Sequence, residues 1–267
     1  MFSNFFSKIK NFSISFLSSI LINGGTLPKK IGIIMDGNRR YALKNHIKKI
    51  QGHTDGMKTL LDIIQWCITF GVEEITTFAF SVDNFNRTKE EVDALLQLFK
   101  ENFHKFSKSK EALSLGVKIC VYGNWSFFDE EIQNIFKEIE ETTKNNTKIR
   151  LNVCIGYNST EEIYHAKKEC DPKNTDYKKE LESHLYGGYN CNPDLLIRTS
   201  GETRLSNYLL YQTRFSIIVF LDKYWPELTF FDFFKILLRY NYNYQNHLSK
   251  IKLLEKENTF SIINKDI

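Results

Sequence analysis

Hydrophobic and polar positions along the chain follow two alternating patterns, one typical of buried strands and one typical of amphipathic helices. Short apolar runs bounded by turn residues predict strands at 31–35, 74–80, 117–122, 149–155, 194–198 and 216–221. Apolar residues at helical spacing predict helices at 53–70, 89–106, 130–143, 160–168, 177–186 and 230–240. Because strands alternate with helices, we expect an α/β fold with a central, mostly parallel sheet of about six strands.

The first predicted strand ends abruptly in polar residues, namely Asp36, Gly37, Asn38, Arg39 and Arg40. Ligands of open parallel sheets bind outside the carboxyl ends of the strands. Arginine side chains suit a phosphate group, and a neighbouring carboxylate suits a metal ion shared with that phosphate. Residues 36–40 are therefore the first candidate site.

Further polar clusters follow the second and fifth predicted strands, at 81–87 and 198–206, and residues 49–53 open the first long helix. A parallel sheet would bring the strand-end clusters to one edge. That edge would gather five arginines around Asp36: Arg39, Arg40, Arg87, Arg198 and Arg204. Arginine is the side chain best matched to bidentate phosphate contacts, so several of them suggest two diphosphates.

Each residue taken singly has an ordinary structural interpretation. Adjacent arginines commonly form a solvated helix face, and His53 at a helix start is commonly a cap. Asp83 and Asn84 are typical turn residues, and Phe85 is more typical of packing than of stacking on a ligand. The combination, rather than any single residue, favours a functional site.

Charge and cysteine content narrow the possible functions. The net charge is +4, and residues 1–35 carry four lysines and no acid, so the remainder of the chain is neutral. A neutral body argues against a nucleic-acid-binding surface. The five cysteines are odd in number and widely spaced, and no C-x-x-C pair is present. We therefore expect neither a zinc site nor a disulfide framework. This cysteine pattern favours a reducing compartment.

Residues 2–22 place six apolar side chains on one helical stripe: Phe5, Phe6, Ile9, Phe12, Phe16 and Ile20. Serines interrupt the segment too often for a membrane span. Three interpretations are open: a helix packed on its own domain, an interfacial membrane helix, and an organelle transit peptide. The number of phenylalanines on one stripe favours the membrane surface. We therefore treat 1–24 as an amphipathic N-terminal helix that serves as an anchor.

Three long motifs resemble the cis-prenyltransferases, which include bacterial undecaprenyl diphosphate synthases and eukaryotic dehydrodolichyl diphosphate synthases. They are MDGNRRYA with a later Gly-His, FSVDNFNR followed by Glu91, and DLLIRTSGETRLSNYLLYQ. The resemblance covers about 25–240, which we take as the catalytic domain. The first motif carries arginine rather than glycine after Asn38, and in this respect it most resembles the eukaryotic dolichol branch of the family.

The resemblance implies an enzyme that adds isopentenyl diphosphate repeatedly to an allylic primer, usually farnesyl diphosphate, with a cis double bond in each new unit. It implies Mg²⁺ as cofactor, an apolar tunnel for the growing chain, and a long polyprenyl product for dolichol and protein glycosylation. The implied location is the cytoplasmic face of the endoplasmic reticulum membrane, with targeting to an organelle as the alternative.

The resemblance also implies roles for individual residues. Asp36 would be the catalytic acid and metal ligand, and Asn84 would assist proton removal. The implied substrate-binding residues are Gly37, Asn38, Arg39, Arg40, Tyr41, Lys49, His53, Ser81, Asp83, Phe85, Arg87, Arg198, Arg204 and Ser206. The helix face predicted to line the tunnel carries Val92, Leu95, Leu96, Phe99, Phe103 and Phe106, of which at least half must be ordinary core.

The chain departs from the family pattern in three places. Lys49 replaces the usual arginine, which keeps the charge but loses the bidentate fork. Ile217 stands where bacterial members carry a metal-binding glutamate. The tail at 241–267 has no Arg-x-Gly motif, which single-subunit members use to complete a neighbouring active site. We therefore expect a heteromer with a homologous accessory subunit that carries that tail.

Three other functions fit parts of the pattern. An aspartate-nucleophile phosphatase would need a second acid where Asn38 stands. A nicotinamide dehydrogenase would need a G-x-G-x-x-G turn, which the sequence lacks. A non-catalytic subunit of the same fold would have lost the two loops at 36–40 and 198–202, and both are intact here.

Overall fold

The computed structural model describes Leu21 and residues 24–108 and 115–248. The chain divides into two compact units. One is Lys29–Leu228, and the other combines Met1–Pro28 with Thr229–Ile267. The large unit contains all six strands of the described residues.

The large unit is built on one six-stranded sheet in which every described strand pair is parallel. The strands are β1 Lys30–Ile34, β2 Glu74–Ser81, β3 Val117–Tyr122, β4 Ile149–Tyr157, β5 Leu195–Arg198 and β6 Ile217–Phe220. They lie in the order β3-β4-β2-β1-β5-β6. The predicted six-stranded parallel α/β fold is confirmed, and the sheet order places β1 between β2 and β5.

Helices connect the first five strands, as is usual for the crossovers of a parallel sheet, whereas β5 and β6 are joined by the loop at 199–216. Within the large unit they are α1 Asn38–Lys44, α2 Lys49–Thr69, α3 Lys89–Lys108, α4 Glu130–Thr143, α5 Ser159–Glu169 and α6 Tyr177–His184. Helix α2 begins at Lys49, where the polar segment 49–53 was predicted to open it and four residues before the apolar spacing predicted at 53–70. Helix α1 was not predicted at all, because residues 36–40 were interpreted as a loop; Asn38 in fact begins a seven-residue helix.

The hydrophobic core lies on both faces of the sheet, as is usual for parallel sheets, which are covered by helices on each side. Ile31, Ile33 and Ile75 of the central strands are at most 1% exposed. Helix α4 buries the stripe that includes Ile135, Phe136 and Ile139, and Asp129 caps it by accepting a hydrogen bond from the Ile132 N–H. The buried sheet fixes the strand ends on which the polar clusters sit.

The smaller unit contains α7, Phe230–Asn243, whose N-terminus is capped by Thr229 and Asp232. Within this unit the Thr26 N–H donates to Asn241 Oδ1 at 3.2 Å. Among the described residues, no helix has the length and apolar character needed to cross a membrane. Apart from Leu21 and Gly24, the predicted N-terminal helix lies outside the described residues, as does most of the predicted tail.

Candidate active site

Three polar clusters meet at one edge of the sheet because β2, β1 and β5 are neighbours. Ile34 at the end of β1 pairs with Phe78 of β2 and with Arg198 of β5. The chain therefore delivers Asp36, Ser81 and Arg198 from three adjacent strands to the same carboxyl edge. The predicted gathering of the strand-end loops at one edge is confirmed.

A cavity of about 1140 Å³ opens at this edge. Its polar end holds six basic side chains and three acidic ones: Arg39, Arg40, Lys49, Arg87, Arg198, Arg204, Asp36, Asp83 and Glu202. The rest of its wall is mainly apolar and includes Ile47, Met57, Leu60, Ile64, Leu95, Leu98, Phe99, Phe103, Ile119, Leu151 and Val153. The cavity thus suits a ligand with an anionic head and an apolar tail.

Fourteen of the sixteen predicted site residues line this cavity: Asp36, Gly37, Asn38, Arg39, Arg40, Lys49, His53, Ser81, Asp83, Asn84, Arg87, Arg198, Arg204 and Ser206. Tyr41 and Phe85 do not line it. Phe85 packs instead against Phe80 and Phe128, with ring centroids 4.9 and 5.6 Å away. Phe85 thus takes the packing role that its residue type favoured.

Of the helix face predicted to line the tunnel, Leu95, Phe99 and Phe103 contribute to the cavity wall. Val92 is buried and does not line it, and neither does Leu96. The side chain of Phe106 lies outside the described residues. The face is therefore divided between cavity wall and ordinary core.

Asp36 is held between two arginines. Arg198 Nη2 donates to Asp36 Oδ2 at 2.9 Å, and Arg40 Nη2 lies 3.4 Å from Asp36 Oδ1. The Gly37 N–H also donates to Oδ1 at 2.7 Å. The carboxylate side chain is nevertheless 31% exposed, so part of it remains accessible from the cavity.

Arg198 is 3% exposed and is the most buried cation of the cluster. Its Nη1 also donates to Ser206 Oγ at 2.8 Å and to the Arg204 carbonyl. Its Nε is buried and finds no hydrogen-bond acceptor among the described residues. An unsatisfied buried donor is costly, which indicates a site built to receive a further acceptor.

Two acids that sequence reasoning left without a role organise the remaining cations. Glu91 pairs with Arg39 at 3.3 Å, Arg87 at 3.0 Å and Lys49 at 3.6 Å. Glu202 pairs with Arg40 at 3.2 Å and with Arg204. Two of these pairs are local in sequence, Arg87–Glu91 at i, i+4 spacing and Glu202–Arg204 within one loop, whereas the pairs with Arg39, Arg40 and Lys49 join distant segments.

His53 lies beside this cluster, and its imidazole is neutral near pH 7. Burial is the main cause that lowers its pKa to about 4, and the positive charges of Arg87 and Arg39 add to it, while Glu91 opposes them. Burial also lowers the pKa of Arg87, with Arg39 as the next cause. A neutral imidazole can still donate a hydrogen bond to an anion or accept one.

Ser81 and Asn84 are oriented by a reciprocal cap at the end of β2. Asn84 Oδ1 accepts a hydrogen bond from the Ser81 N–H at 3.0 Å, and Ser81 Oγ accepts one from the Asp83 N–H at 3.1 Å. These bonds start the 3-10 turn Val82–Asn86. Both side chains are thereby fixed at the cavity wall before any ligand binds.

The loop after β5 is held in a strained backbone conformation. Ser200, Ser206, Asn207 and Leu209 have positive φ values of 86°, 50°, 58° and 45°. Such conformations cost of order 1–3 kcal/mol each in non-glycine residues and persist only where the surroundings impose them. Here the Tyr208 hydroxyl donates to the Thr76 carbonyl at 2.8 Å, and the Ser200 N–H donates to the Lys223 carbonyl at 2.7 Å.

The site fits a magnesium ion that is shared with a substrate. Among the described residues, no three His, Cys, Asp or Glu side chains come together as a metal cluster. Mg²⁺ usually binds through one or two carboxylates together with substrate phosphates, and keeps several waters. The half-exposed carboxylate of Asp36, among arginines that suit phosphates, matches that donor set.

Comparison with known proteins agrees with this geometry. Residues 34–247 match the prenyltransferase family model described as undecaprenyl diphosphate synthase. The chain is 39% identical to the human dehydrodolichyl diphosphate synthase complex subunit over 84% of this chain and 70% of that protein. It is 38% identical to a tritrans,polycis-undecaprenyl-diphosphate synthase (geranylgeranyl-diphosphate specific) from Pyrococcus abyssi, over 81% of this chain and 85% of that protein.

Solved structures show the same architecture. Lavandulyl diphosphate synthase from Lavandula x intermedia, crystallised with dimethylallyl diphosphate, superposes with a TM-score of 0.73 at 27% identity, covering 80% of this chain and 95% of that chain. A probable undecaprenyl diphosphate synthase from Campylobacter jejuni shares the fold, with a TM-score of 0.67, 24% identity and the same coverage. The chain therefore belongs to the undecaprenyl diphosphate synthase family and is a cis-prenyltransferase, an enzyme that transfers prenyl groups.

Proposed function

We propose that the chain condenses isopentenyl diphosphate repeatedly with an allylic diphosphate primer, farnesyl diphosphate, and releases a long-chain polyprenyl diphosphate. The observation that carries the proposal is the division of one cavity into a polar end with six basic side chains and an apolar remainder. Two diphosphate heads require strong charge compensation, and a growing prenyl chain requires an apolar wall. Both requirements are met in one continuous space.

The allylic diphosphate is assigned to residues 36–40 with His53. Arg39 and Arg40 lie in the first turn of helix α1, and residues 36–40 and His53 line the cavity. These arginines pair with Glu91, Asp36 and Glu202. A bound diphosphate would take the place of those carboxylates as the anion that pairs with the arginines.

Isopentenyl diphosphate is assigned to Arg87, Arg198, Arg204 and Ser206. Arg198 supports this assignment because it is buried, bonded to Ser206 and left with an unsatisfied Nε. Arg204 is 67% exposed at the cavity mouth, so it can close over a diphosphate. The two sets of ligands share Asp36, which Arg198 and Arg40 flank, so the two diphosphates would lie side by side.

In each cycle the allylic C–O bond breaks and its electron pair leaves with the diphosphate. The double bond of isopentenyl diphosphate forms the new C–C bond to the allylic carbon, and one proton leaves the adjacent carbon. Asn84 is the candidate for assisting that proton loss, since its fixed amide lines the cavity beside Ser81. Preorganised arginines favour the step because they stabilise charge where it develops.

Asp36 would hold Mg²⁺ together with diphosphate oxygens, and the ion would neutralise the charge of the leaving group. The protein's own contribution is the orientation of that carboxylate. Arg198 and the Gly37 N–H fix its two oxygens, while 31% of the side chain stays exposed for a further contact. Ile217, at the position of the bacterial glutamate, offers no second acid, so diphosphate oxygens and waters would supply the remaining ligands.

The apolar wall accounts for repeated addition. Burial of about 0.8 kcal/mol per CH₂ gives roughly 4 kcal/mol for each five-carbon unit drawn from water. Each added unit would therefore move along the wall formed by α2 and α3, away from the polar end. The product would serve dolichol synthesis and protein glycosylation, in keeping with the dehydrodolichyl name of the human and mouse relatives.

The chain works in a heteromer with a homologous accessory subunit, at the cytoplasmic face of the endoplasmic reticulum membrane. The human relative supports the first part, since it is named as a subunit of a complex. An apolar product supports a membrane surface as the place of release. Targeting of the chain to an organelle is the alternative location.

The test is product formation from labelled isopentenyl diphosphate, Mg²⁺ and a primer, with the chain purified alone and after co-expression with an accessory subunit from the same cell. Farnesyl and geranylgeranyl diphosphates are compared as primers, because archaeal relatives are named as specific for the latter. We expect long cis-polyprenyl diphosphates from farnesyl diphosphate and strong stimulation by the partner. Release of phosphate without chain elongation would contradict the proposal and favour a phosphatase.

A further inference from the structure

The short turn at residues 224–227, which follows β6, contacts Asp36, Gly37 and two basic side chains of helix α1, Arg40 and Lys44. It contains the 3-10 turn Trp225–Glu227. Trp225 is 1% exposed, although a lone tryptophan between a strand and a helix gives no periodic signal in the sequence. The position of this turn indicates a role in the geometry of the site.

The first contact is to the main chain of Asp36. The Trp225 N–H donates to the Asp36 carbonyl at 3.0 Å. The Thr199 hydroxyl donates to the same carbonyl at 2.7 Å and accepts from the Asp36 N–H at 3.0 Å. The peptide groups on both sides of Asp36 are therefore fixed by residues far away in the sequence.

The second contact joins the turn to helix α2. The Trp225 indole N–H donates to the Gly56 carbonyl at 2.7 Å. A Cβ atom at Gly56 would lie 2.8 Å from Trp225 Cδ1 and 2.3 Å from Asn38 Oδ1. Only glycine therefore allows α2, the indole and the start of α1 to meet this closely.

The third contact is made by Tyr224 and Glu227. A Cβ atom at Gly37 would lie 2.9 Å from Tyr224 Cδ1, so the tyrosine ring packs directly on this glycine. Gly37 also has a φ of 103°, a backbone conformation that favours glycine over every other residue. Arg40 and Lys44 lie 5.9 and 5.7 Å from the centre of the Tyr224 ring. Glu227 accepts a hydrogen bond from Lys44 at 2.6 Å.

We propose that the 224–227 turn is a positioning element that fixes Asp36 and Arg40 for the allylic diphosphate and its metal ion, an inference that rests on the proposed function. Trp225 also lines the cavity, whereas Tyr224 and Glu227 do not, so these two act only through the residues they hold. Charge stabilisation depends on groups that are already in place when the leaving charge develops. A displacement of about 1 Å at such groups costs about a hundredfold in rate.

The experiment compares Tyr224→Leu with the conservative Tyr224→Phe. Phenylalanine keeps the ring over Gly37 and Arg40, whereas leucine removes the flat face. We expect Tyr224→Leu to lower kcat by about tenfold or more and to raise the KM for the allylic primer. The KM for isopentenyl diphosphate should stay within about twofold, because Arg87, Arg198 and Arg204 do not contact the turn.

A binding measurement separates this inference from the proposed function. Inorganic pyrophosphate and Mg²⁺ are titrated calorimetrically into protein saturated with isopentenyl diphosphate, which leaves the allylic head site as the pyrophosphate site. We expect about tenfold weaker binding for Tyr224→Leu and wild-type binding for Tyr224→Phe. Trp225→Phe, which removes the indole N–H, should resemble Tyr224→Leu. Thermal unfolding of each variant shows whether the fold is intact.

Two results would overturn the inference. One is equal kinetics and pyrophosphate binding for wild type, Tyr224→Leu and Trp225→Phe. The other is an equal effect of Tyr224→Leu on the two substrates' KM values, which would indicate general loosening. If the wild type co-expressed with its accessory subunit makes no polyprenyl product but the pyrophosphate affinities differ as expected, the proposed function fails and the positioning role stands.

Discussion

At the scale of single residues, Asp36 connects the two proposed diphosphate sites. Arg198 and Arg40 contact different oxygens of its carboxylate, and these two arginines belong to different proposed substrate sites. A charge balance of this kind can be disturbed at one atom without changing the fold. The first predictions therefore concern individual side chains.

Asp36→Ala and Asp36→Asn should abolish turnover or reduce it by at least about 10²–10³-fold, because both remove the only carboxylate that the 36–40 segment offers to a metal ion. Both variants should stay folded by circular dichroism, since the side chain is half-exposed. Asp62→Ala, on the exposed side of α2, is the matched control. Near-normal turnover of either Asp36 variant with Mg²⁺ present would show that the mechanism is wrong.

Arg198→Lys and Arg204→Lys keep the charge and remove the guanidinium fork. We expect each to raise the KM for isopentenyl diphosphate and to lower kcat/KM by about tenfold to a hundredfold, since lysine cannot make the paired contacts. Steady-state kinetics with each substrate varied in turn gives both values. The control is Arg239→Lys, an exposed arginine that does not line the cavity. Unchanged kinetics would place Arg198 and Arg204 outside the substrate site.

His53 leads to a prediction about how the stability of the protein depends on pH. Its pKa falls from an ordinary 6.5 to about 4 on folding, so between these values the unfolded chain binds a proton that the folded chain excludes. The free energy of unfolding should therefore decrease as pH falls through this window. Imidazole NMR should show a His53 titration near pH 4, assigned with His53→Asn. A midpoint near 6.5 would contradict the burial described here.

At the scale of secondary-structure elements, the sequence predicted what depends on periodicity. Helix α4 and strand β3 have the predicted bounds, and α3 differs by two residues, because each shows an amphipathic or alternating pattern over its length. Helix α1 was missed because its seven residues, two of them arginines, form only about two turns, too few to show a helical repeat of apolar positions. Its left-handed Gly37 N-cap also looks like an ordinary turn.

What periodicity cannot show is which elements meet. The chain order of the strands does not reveal that β1 lies between β2 and β5, yet that order decides which loops form the site. The ion pairs of Glu91 with Arg39 and of Glu202 with Arg40, and the hydrogen bonds of Trp225, likewise depend on contacts between distant segments. The candidate residues were therefore predictable from motifs, whereas the contacts that position them were not.

The close approach of α1, α2 and the 224–227 turn is testable at Gly56. Gly56→Ala should destabilise the protein by about 1–3 kcal/mol, because the added methyl overpacks against Asn38 and Trp225. That cost opposes the ~1 kcal/mol that alanine gains over glycine in a helix. Urea denaturation measures the difference, with Gly24→Ala as control, where a Cβ meets nothing within 4 Å. Stabilisation by Gly56→Ala would mean that the contact is looser than described.

At the scale of the whole molecule, the neutral body and the basic, acid-free residues 1–35 suggest separate tasks for catalysis and for location. The motifs begin at residue 35, after the predicted amphipathic stripe. The five cysteines are free thiols in the structure. The location of the protein can therefore be tested by changing the N-terminal segment while the catalytic residues stay intact.

Deletion of residues 2–22 should release the protein from lipid vesicles and spare turnover of soluble substrates, because the phenylalanine stripe is removed and residues 36–206 are unchanged. Vesicle flotation and the prenyl transfer assay measure the two properties. A deletion variant that still floats with vesicles would contradict the anchor. Recovery of a shortened chain from mitochondria or plastids would favour the transit peptide.

The central claim is that two diphosphates bind side by side at the carboxyl ends of β2, β1 and β5. The most direct measurement is a crystal structure with Mg²⁺, isopentenyl diphosphate and an unreactive farnesyl thiodiphosphate. We predict one diphosphate on residues 36–40, the other on Arg87, Arg198 and Arg204, the metal ion on Asp36, and the farnesyl chain along the apolar wall. A diphosphate bound elsewhere, or a farnesyl chain outside the cavity, would contradict the account.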